Sequence, residues 1–298
     1  MWLEPAPLLG AGLSRRVLLQ AGSRLAAGGP GRARRFSNKA VLVEKEGEAG
    51  IAVMKFKNPP VNSSAWSFRQ SFRHQPEKLE NEKSIRGVIL TSERPGTSPP
   101  PHDMKKKDDQ PTMLSTGRLV PGAVAEALLV QPDLISAING AFPAGGCLMA
   151  LTCDYRIMAD NSKYTIGLNE SLLGIVAPFW LKDNYVNTSG TEQPSVPFNW
   201  GRFPTNMTAA ALLTLHRSLN EVVPEDQVHS KARSVMAKWF TIPDHSRLLT
   251  KSMMRKATAD NLIKQREADI QNFTSFTSRD SIQKSLHVYL EKLKQKKG

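Results

Sequence analysis

The sequence predicts an α/β domain built from repeating strand–strand–helix units and followed by a helical C-terminal region. Short apolar runs that end at turn residues, at 51–56, 87–91 and 134–138, have the length and composition of buried strands. The order of strand, helix and strand recurs at Leu134 and again near Tyr155, which favours alternating layers over a purely helical or purely β architecture. Beyond Pro224 the apolar residues take a helical period.

The first 37 residues differ from the rest of the chain. Residues 1–35 contain six arginines and a single acidic residue, Glu4. This Arg-rich, acid-poor composition is typical of a mitochondrial transit peptide, so we expect residues 1–37 to be a leader and the location to be the mitochondrial matrix. A disordered basic tail is the alternative.

Residues 38–223 form the predicted α/β core. Its first elements are strands at 41–44 and 51–56, joined by a loop over 45–50. The proline pair Pro59–Pro60 ends this hairpin, and a helix with a poor apolar stripe is expected at about 64–80. A buried strand at 87–91 follows. Residues 224–298 are predicted to be helices that run to about Leu293.

The stretch 134–180 carries the candidate chemistry. A buried strand stops at Asn139–Gly140, and the pair Gly145–Gly146 then precedes an apolar helical pattern. Glycines at such a junction let the backbone approach a ligand, and the free N–H groups at a helix start present the positive end of the helix dipole. The pattern therefore predicts a corner that can hold a developing oxyanion. Further along, Glu170 is a single carboxylate among Leu, Ile, Phe and Trp.

These two segments resemble the crotonase (enoyl-CoA hydratase/isomerase) superfamily, and most closely its isomerases. The matching blocks are residues 41–62, 79–96, 134–183 and 221–298, which together exceed half of the chain. The resemblance implies a crotonase-like spiral of ββα units with a C-terminal helical region, and an oligomer built from trimers. It also implies an enoyl-CoA thioester as substrate and no cofactor.

The resemblance also assigns roles to three residues. In the isomerases a double bond moves from C3–C4 to C2–C3 through a dienolate, so the backbone N–H of Gly145 is expected to stabilise the thioester oxyanion. Glu170 is expected to take the C2 proton and return it at C4, with a pKa raised by its apolar neighbours. Asn169 is expected to orient the substrate or this carboxylate. The alternatives are that Gly145 only permits tight packing and that Glu170 lies in a surface loop.

Leu148 bears on the choice between isomerase and hydratase. Hydratases of the family carry a second carboxylate shortly after the glycine pair, and this sequence has Leu148 there. One carboxylate can move a proton but cannot easily also activate a water molecule. The resemblance thus implies isomerisation.

Two tracts, 97–131 and 185–220, depart from the family pattern. In the family, the first tract supplies the other half of the oxyanion hole, but here it opens with prolines and lysines, and we assign no functional residue to it. A divergent insertion and a shifted frame or wrongly joined exon both explain such abrupt changes. The rival function is therefore a non-catalytic or defective crotonase-like subunit that lacks the first oxyanion loop.

Composition excludes several other classes. The net charge of +13 suits a phosphorylated substrate or a solvated lysine-rich surface, and nucleic acid is an unlikely partner because no aromatic-plus-basic RNA motif accompanies the charge. The two cysteines, Cys147 and Cys153, fit neither a disulfide framework nor a zinc site, and the acidic residues form no metal-ligand cluster. No apolar run reaches the length of a membrane span.

Overall fold

The computed structural model describes residues 35–37, 41–46, 50–56, 82–93, 122, 124–143, 145–167, 179–189 and 219–295. The chain divides into two compact units, residues 1–32 and 33–298, and all the described residues belong to the second. Within this described part, none of the helices combines the length and the apolar character that crossing a membrane requires.

A seven-stranded sheet forms the centre of the fold, in the order β1-β2-β3-β4-β5-β7-β9. The first two pairings are antiparallel and the other four are parallel. A separate parallel pair is formed by β6 and β8. The strands are β1 (Arg35–Ser37), β2 (Val41–Glu46), β3 (Ile51–Phe56), β4 (Gly87–Ser92), β5 (Asp133–Ile138), β6 (Phe142–Pro143), β7 (Tyr155–Ala159), β8 (Ile166–Gly167) and β9 (Glu221–Val223).

The predicted N-terminal hairpin is confirmed, with β2 two residues longer than expected and the loop correspondingly shorter. Gly50 begins the return strand with a φ of 69°, a conformation that favours glycine. Its carbonyl accepts hydrogen bonds from the N–H groups of Arg86 and Gly87, which align β3 with β4. The short strand β1 lies inside the segment that the sequence assigns to the leader, and the boundary at residue 37 stays a prediction.

The predicted strands at 87–91 and 134–138 are also confirmed, as β4 and β5, and every residue in both is buried. Parallel strands covered on both faces have near-continuous apolar sequences, which is why these two runs lack alternation. Ile89, Ile135 and Ile157 are fully shielded in the three neighbouring parallel strands β4, β5 and β7. The core of the molecule is centred on them.

The C-terminal region is helical, as the sequence predicts. A 3-10 turn (Glu225–Gln227) replaces the first residues of the helix expected from Glu225, and the next long helix begins after Pro243. The expected helix at 64–80 lies outside the described residues. The helices are α1 (Gly145–Thr152), α2 (Phe179–Ser189), α3 (Val228–Trp239), α4 (Asp244–Thr277) and α5 (Asp280–Gln295).

Helix α3 lies across β4, β5 and β7. The contact is close, because a Cβ atom added to Gly87 of β4 would come within 2.3 Å of the Sδ atom of Met236. Met236 itself is fully buried. The fit fixes α3 against the sheet.

Parts of the two atypical tracts belong to this fold. Residues 124–129 are helical, and Val124, Ala127 and Leu128 are completely buried. Residues 185–189 form the end of α2. The end of the first tract therefore contributes to the core, whereas residues 97–121 and 190–218 lie outside the described part.

Candidate active site

The carboxyl ends of the parallel strands meet at one edge of the sheet, where open α/β sheets commonly bind their ligands. The ladder between β4 and β5 stops at Leu90 and Ser136, although each strand continues for two more residues. On its other side, β5 remains paired with β7 up to Ile138. Near this edge, the regular backbone pairing between β4 and β5 therefore ends, and another contact takes its place.

The side chain of Asn139 takes over where that ladder ends. Its Nδ2 donates to the carbonyl of Ser92 at 3.1 Å, and its Oδ1 accepts from the Ser92 N–H at 3.4 Å. Both residues are buried. In the sequence, Asn139 is marked only as a turn residue. No local sequence signal distinguishes a turn residue from one that links two strands.

The small β6–β8 pair joins the segment that precedes Gly145 to the segment that precedes Asn169 and Glu170 in sequence. Phe142 is paired with Ile166 and Pro143 with Gly167, and the Phe142 N–H donates to the carbonyl of Thr165 at 2.6 Å. Sequence analysis missed this pair, because two-residue strands carry no periodic signal.

The candidate residues follow this strand pair closely in sequence. Gly145 follows Pro143 by two residues, and Glu170 follows Gly167 by three. The segments that carry the predicted oxyanion donor and the predicted base therefore leave the same strand pair.

Gly145 is the first residue of α1, so the predicted helix start at the glycine pair is confirmed. The N–H groups of a first helical turn have no partner within the helix and carry the positive end of its dipole. Cys147 and Leu148 behind them are buried, with 6% and 3% of their surface exposed. The two other predicted site residues, Asn169 and Glu170, lie outside the described residues.

The opposite end of α1 is capped by cations. Arg255 of α4 donates to the carbonyls of Thr152 at 2.8 Å and Cys153 at 3.1 Å, and Arg156 donates to the Cys153 carbonyl at 2.8 Å. Burial lowers the pKa of Arg156 to about 10, which still leaves it charged at neutral pH. Positive charge at a helix C-terminus stabilises the helix dipole.

Asp154 joins this capped end to α4 and β5. Its carboxylate accepts from Lys251 at 2.9 Å and from the Leu134 N–H at 2.8 Å, and lies 3.1 Å from Arg255. Burial alone would raise the pKa of Asp154, but Lys251 and Arg255 outweigh burial and hold it below the usual 3.8. Because Asp154 and Leu134 lie near the starts of β7 and β5, this buried ionic cluster is at the sheet edge opposite the candidate site.

Neither cysteine forms a disulfide, and both are buried. Burial raises the pKa of the Cys153 thiol to about 12, so this group is protonated at neutral pH. Groups of three or more His, Cys, Asp or Glu side chains that could hold a metal ion are absent from the portion of the chain whose structure is described.

Known proteins resemble this chain over nearly its whole length. A profile of the enoyl-CoA hydratase/isomerase family matches residues 46–297. Mitochondrial enoyl-CoA delta isomerase 1 of Rattus norvegicus is 70% identical over 290 residues, covering 96% of this chain and 98% of that protein. The protein of the same name from Homo sapiens is 53% identical over 296 residues, covering 95% and 96%.

Solved structures agree with these sequence matches. The crystal structure of human mitochondrial delta3-delta2-enoyl-CoA isomerase has a TM-score of 0.80 at 52% identity, covering 87% of this chain and all of that one. An enoyl-CoA hydratase from Bacillus halodurans has a TM-score of 0.69 at 19% identity, covering 84% and 99%. The second match concerns the fold alone.

Proposed function

Because the chain belongs to the enoyl-CoA hydratase/isomerase family, we propose that it is a mitochondrial enoyl-CoA isomerase. It converts 3-enoyl-CoA to trans-2-enoyl-CoA in the β-oxidation of unsaturated fatty acids. The observation that carries this proposal is the 70% identity, over almost the full length, to a relative of that name. The arrangement of the candidate site supports it.

Glu170 is the proposed base. Its carboxylate takes a proton from C2, the electron pair of the broken C–H bond delocalises into the thioester carbonyl and the C3–C4 double bond, and the same proton is added at C4. The product differs from the substrate only in the position of the double bond. The sequence position of Glu170, three residues after β8, supports this role, because β8 pairs with β6, the strand that leads to Gly145.

The Gly145 N–H is the proposed donor to the thioester oxygen. This oxygen becomes negative in the dienolate, so a donor fixed in advance lowers the barrier more than it strengthens substrate binding. The start of α1 at Gly145 supports this assignment, as does the capping of its other end by Arg255. Asn169, next to Glu170 in sequence, orients the substrate or the carboxylate.

Leu148 supports isomerisation without hydration. It lies three residues after Gly145 in α1 and is 3% exposed. A buried aliphatic side chain there neither activates water nor makes room for it. A shift of one proton within the substrate also needs no redox group or group carrier, so no cofactor is part of the proposal.

The proposed assembly is a homotrimer of this chain. Helix α4 exposes large apolar side chains within little more than one turn, with Leu249 63%, Met253 83% and Met254 71% exposed. Such a cluster is a plausible surface for a second copy. The proposed domain organisation remains a leader over 1–37, an α/β core over 38–223 and a helical region over 224–298.

Product analysis tests the function. The purified full chain is incubated with a 3-enoyl-CoA, and the products are separated by chromatography. We expect trans-2-enoyl-CoA without 3-hydroxyacyl-CoA, since the second carboxylate is missing. A folded protein without turnover would instead favour the non-catalytic crotonase-like subunit, which the atypical tract 97–131 suggests.

A further inference from the structure

Asn139 links the ends of β4 and β5 at the edge of the sheet that holds the candidate site. Its amide satisfies both backbone groups of Ser92, as donor to the carbonyl and acceptor from the N–H. The next residue of that strand end, Glu93, donates its N–H to the carbonyl of Phe56 in β3 at 3.0 Å. The end of β4 is therefore held on both sides, by β3 and by Asn139.

The connection from β5 to α1 is held at two points. The first is Asn139, at the end of β5, and the second is the pairing of Phe142 and Pro143 with β8. Gly145 begins α1 only two residues after the second point. Gly145 thus follows, within two residues, a short segment whose two ends are both held.

Loss of the Asn139 amide would release one of these points. The Ser92 N–H and carbonyl are buried, so they would lose their partners where water cannot readily replace them. The connection could then shift toward a new partner for these groups. A displacement of about 1 Å in a catalytic group can cost roughly 10²-fold in rate.

We propose that Asn139 is a positioning residue for the isomerisation, which holds the β5-to-α1 connection against β4 and thereby aims the Gly145 N–H at the thioester oxygen. The proposal rests on the function proposed above. Asn139 acts through Gly145 and does not itself contact the reacting atoms. Its effect should accordingly concern the charged oxygen of the dienolate rather than the neutral substrate.

Two ligands separate this role from a purely structural one. Acetoacetyl-CoA has an acidic C2 and can bind as an enolate, whose ultraviolet absorbance reports its formation, whereas butanoyl-CoA binds only as a neutral thioester. For Asn139→Ala we expect enolate binding to weaken about 10- to 100-fold and kcat to fall by a similar factor. This fall in kcat should not exceed the fall caused by removing one oxyanion donor. The Kd of butanoyl-CoA and the KM should change less than about threefold, since uniform binding is retained.

Two further variants complete the experiment. Asn139→Asp keeps the acceptor for the Ser92 N–H but, when ionised, cannot donate to its carbonyl, so a loss of the same kind is expected. Asn220→Ala is the matched control, because its Oδ1 accepts from the Arg156 N–H at 2.9 Å near the start of β7, at the opposite edge of the sheet. The control should lose thermal stability without a selective loss of enolate binding.

The possible outcomes are distinct. Equal weakening of both ligands, or no weakening, in an Asn139 variant of an active enzyme would overturn the positioning role alone. Failure of both Asn139 variants to fold would also overturn it, by showing that the amide serves the fold. A folded unmodified chain without isomerase turnover would overturn the proposed function, and this inference with it.

Discussion

Gly145 would contribute to catalysis through one backbone group, its N–H, which a single substitution can remove. It is the first residue of α1, and a proline is tolerated in the first turn of a helix because the N–H it lacks has no intrahelical partner there. Replacement by proline can therefore remove the proposed donor while the helix remains.

We expect Gly145→Pro to lower kcat by roughly 10²–10³, the usual cost of one oxyanion-hole donor, with a smaller change in KM. Gly145→Ala keeps the N–H and serves as the control. Steady-state kinetics on both variants, with circular dichroism to verify folding, provide the comparison. Similar activity in the two variants would exclude the N–H as the donor.

At the scale of single elements, α1 connects two different environments. Its N-terminal end faces the connection from β5 and β6, and its C-terminal end is fixed by Arg255 and the Asp154 cluster. Helix α4 thus stabilises the helix that begins at the candidate site, from the opposite end. Changes in this cluster should alter stability first.

Asp154→Asn tests that role. Since the folded-state pKa of Asp154 lies below its usual 3.8, the carboxylate stabilises the fold at neutral pH, and this contribution is lost as pH falls from 3.8 toward the folded-state pKa. The variant should lose about 3–5 kcal/mol at pH 7, because Lys251 and Arg255 keep their charge without a counterion. The difference from the unmodified chain should shrink in acid.

Urea unfolding at several pH values measures this difference. Asp260→Asn is the control, because Asp260 forms an exposed pair with Lys256 on the same helix. Its effect should stay within about 1 kcal/mol. A loss for Asp154→Asn that is equally small, or equal at every pH, would show that the cluster does not contribute in this way.

The longer strands were predictable from sequence, whereas the shortest strands and the contacts between strands were not. The predicted bounds of β5 differ from the observed ones by one residue, because its apolar run is bounded by turn residues. By contrast, β6 and β8 are two residues each, and their pairing depends on residues 24 positions apart. The cationic partners of Asp154 lie on α4. Lys251 is 97 positions away from Asp154 in the sequence, so no local pattern encodes this contact.

The candidate site was predictable to a similar degree. The glycine pair marked the start of α1, because a strand, a turn and a helix leave a joint local signature. The amide of Asn139 was missed, since a turn residue and a strand-linking residue have the same sequence pattern. Its function depends on where Ser92 ends β4, which only the sheet reveals.

At the scale of the whole molecule, the exposed apolar cluster on α4 bears on assembly. Met253→Lys places a charge in the proposed contact between copies, with 83% of the native side chain exposed in the single chain. We expect the unmodified chain to elute as a trimer and the variant to dissociate, as measured by light scattering after size-exclusion chromatography. Lys264→Met, away from this cluster, is the control. A monomeric unmodified chain would contradict the proposed trimer.

In the proposed mechanism one carboxylate, Glu170, moves the proton. The most direct measurement is the isomerase turnover of a 3-enoyl-CoA by the full chain and by its Glu170→Gln variant, which keeps the size of the side chain but is not a base. We predict turnover by the full chain and a loss of at least about 10³-fold in the variant, with butanoyl-CoA binding preserved. A variant that retains most of the activity would contradict the account.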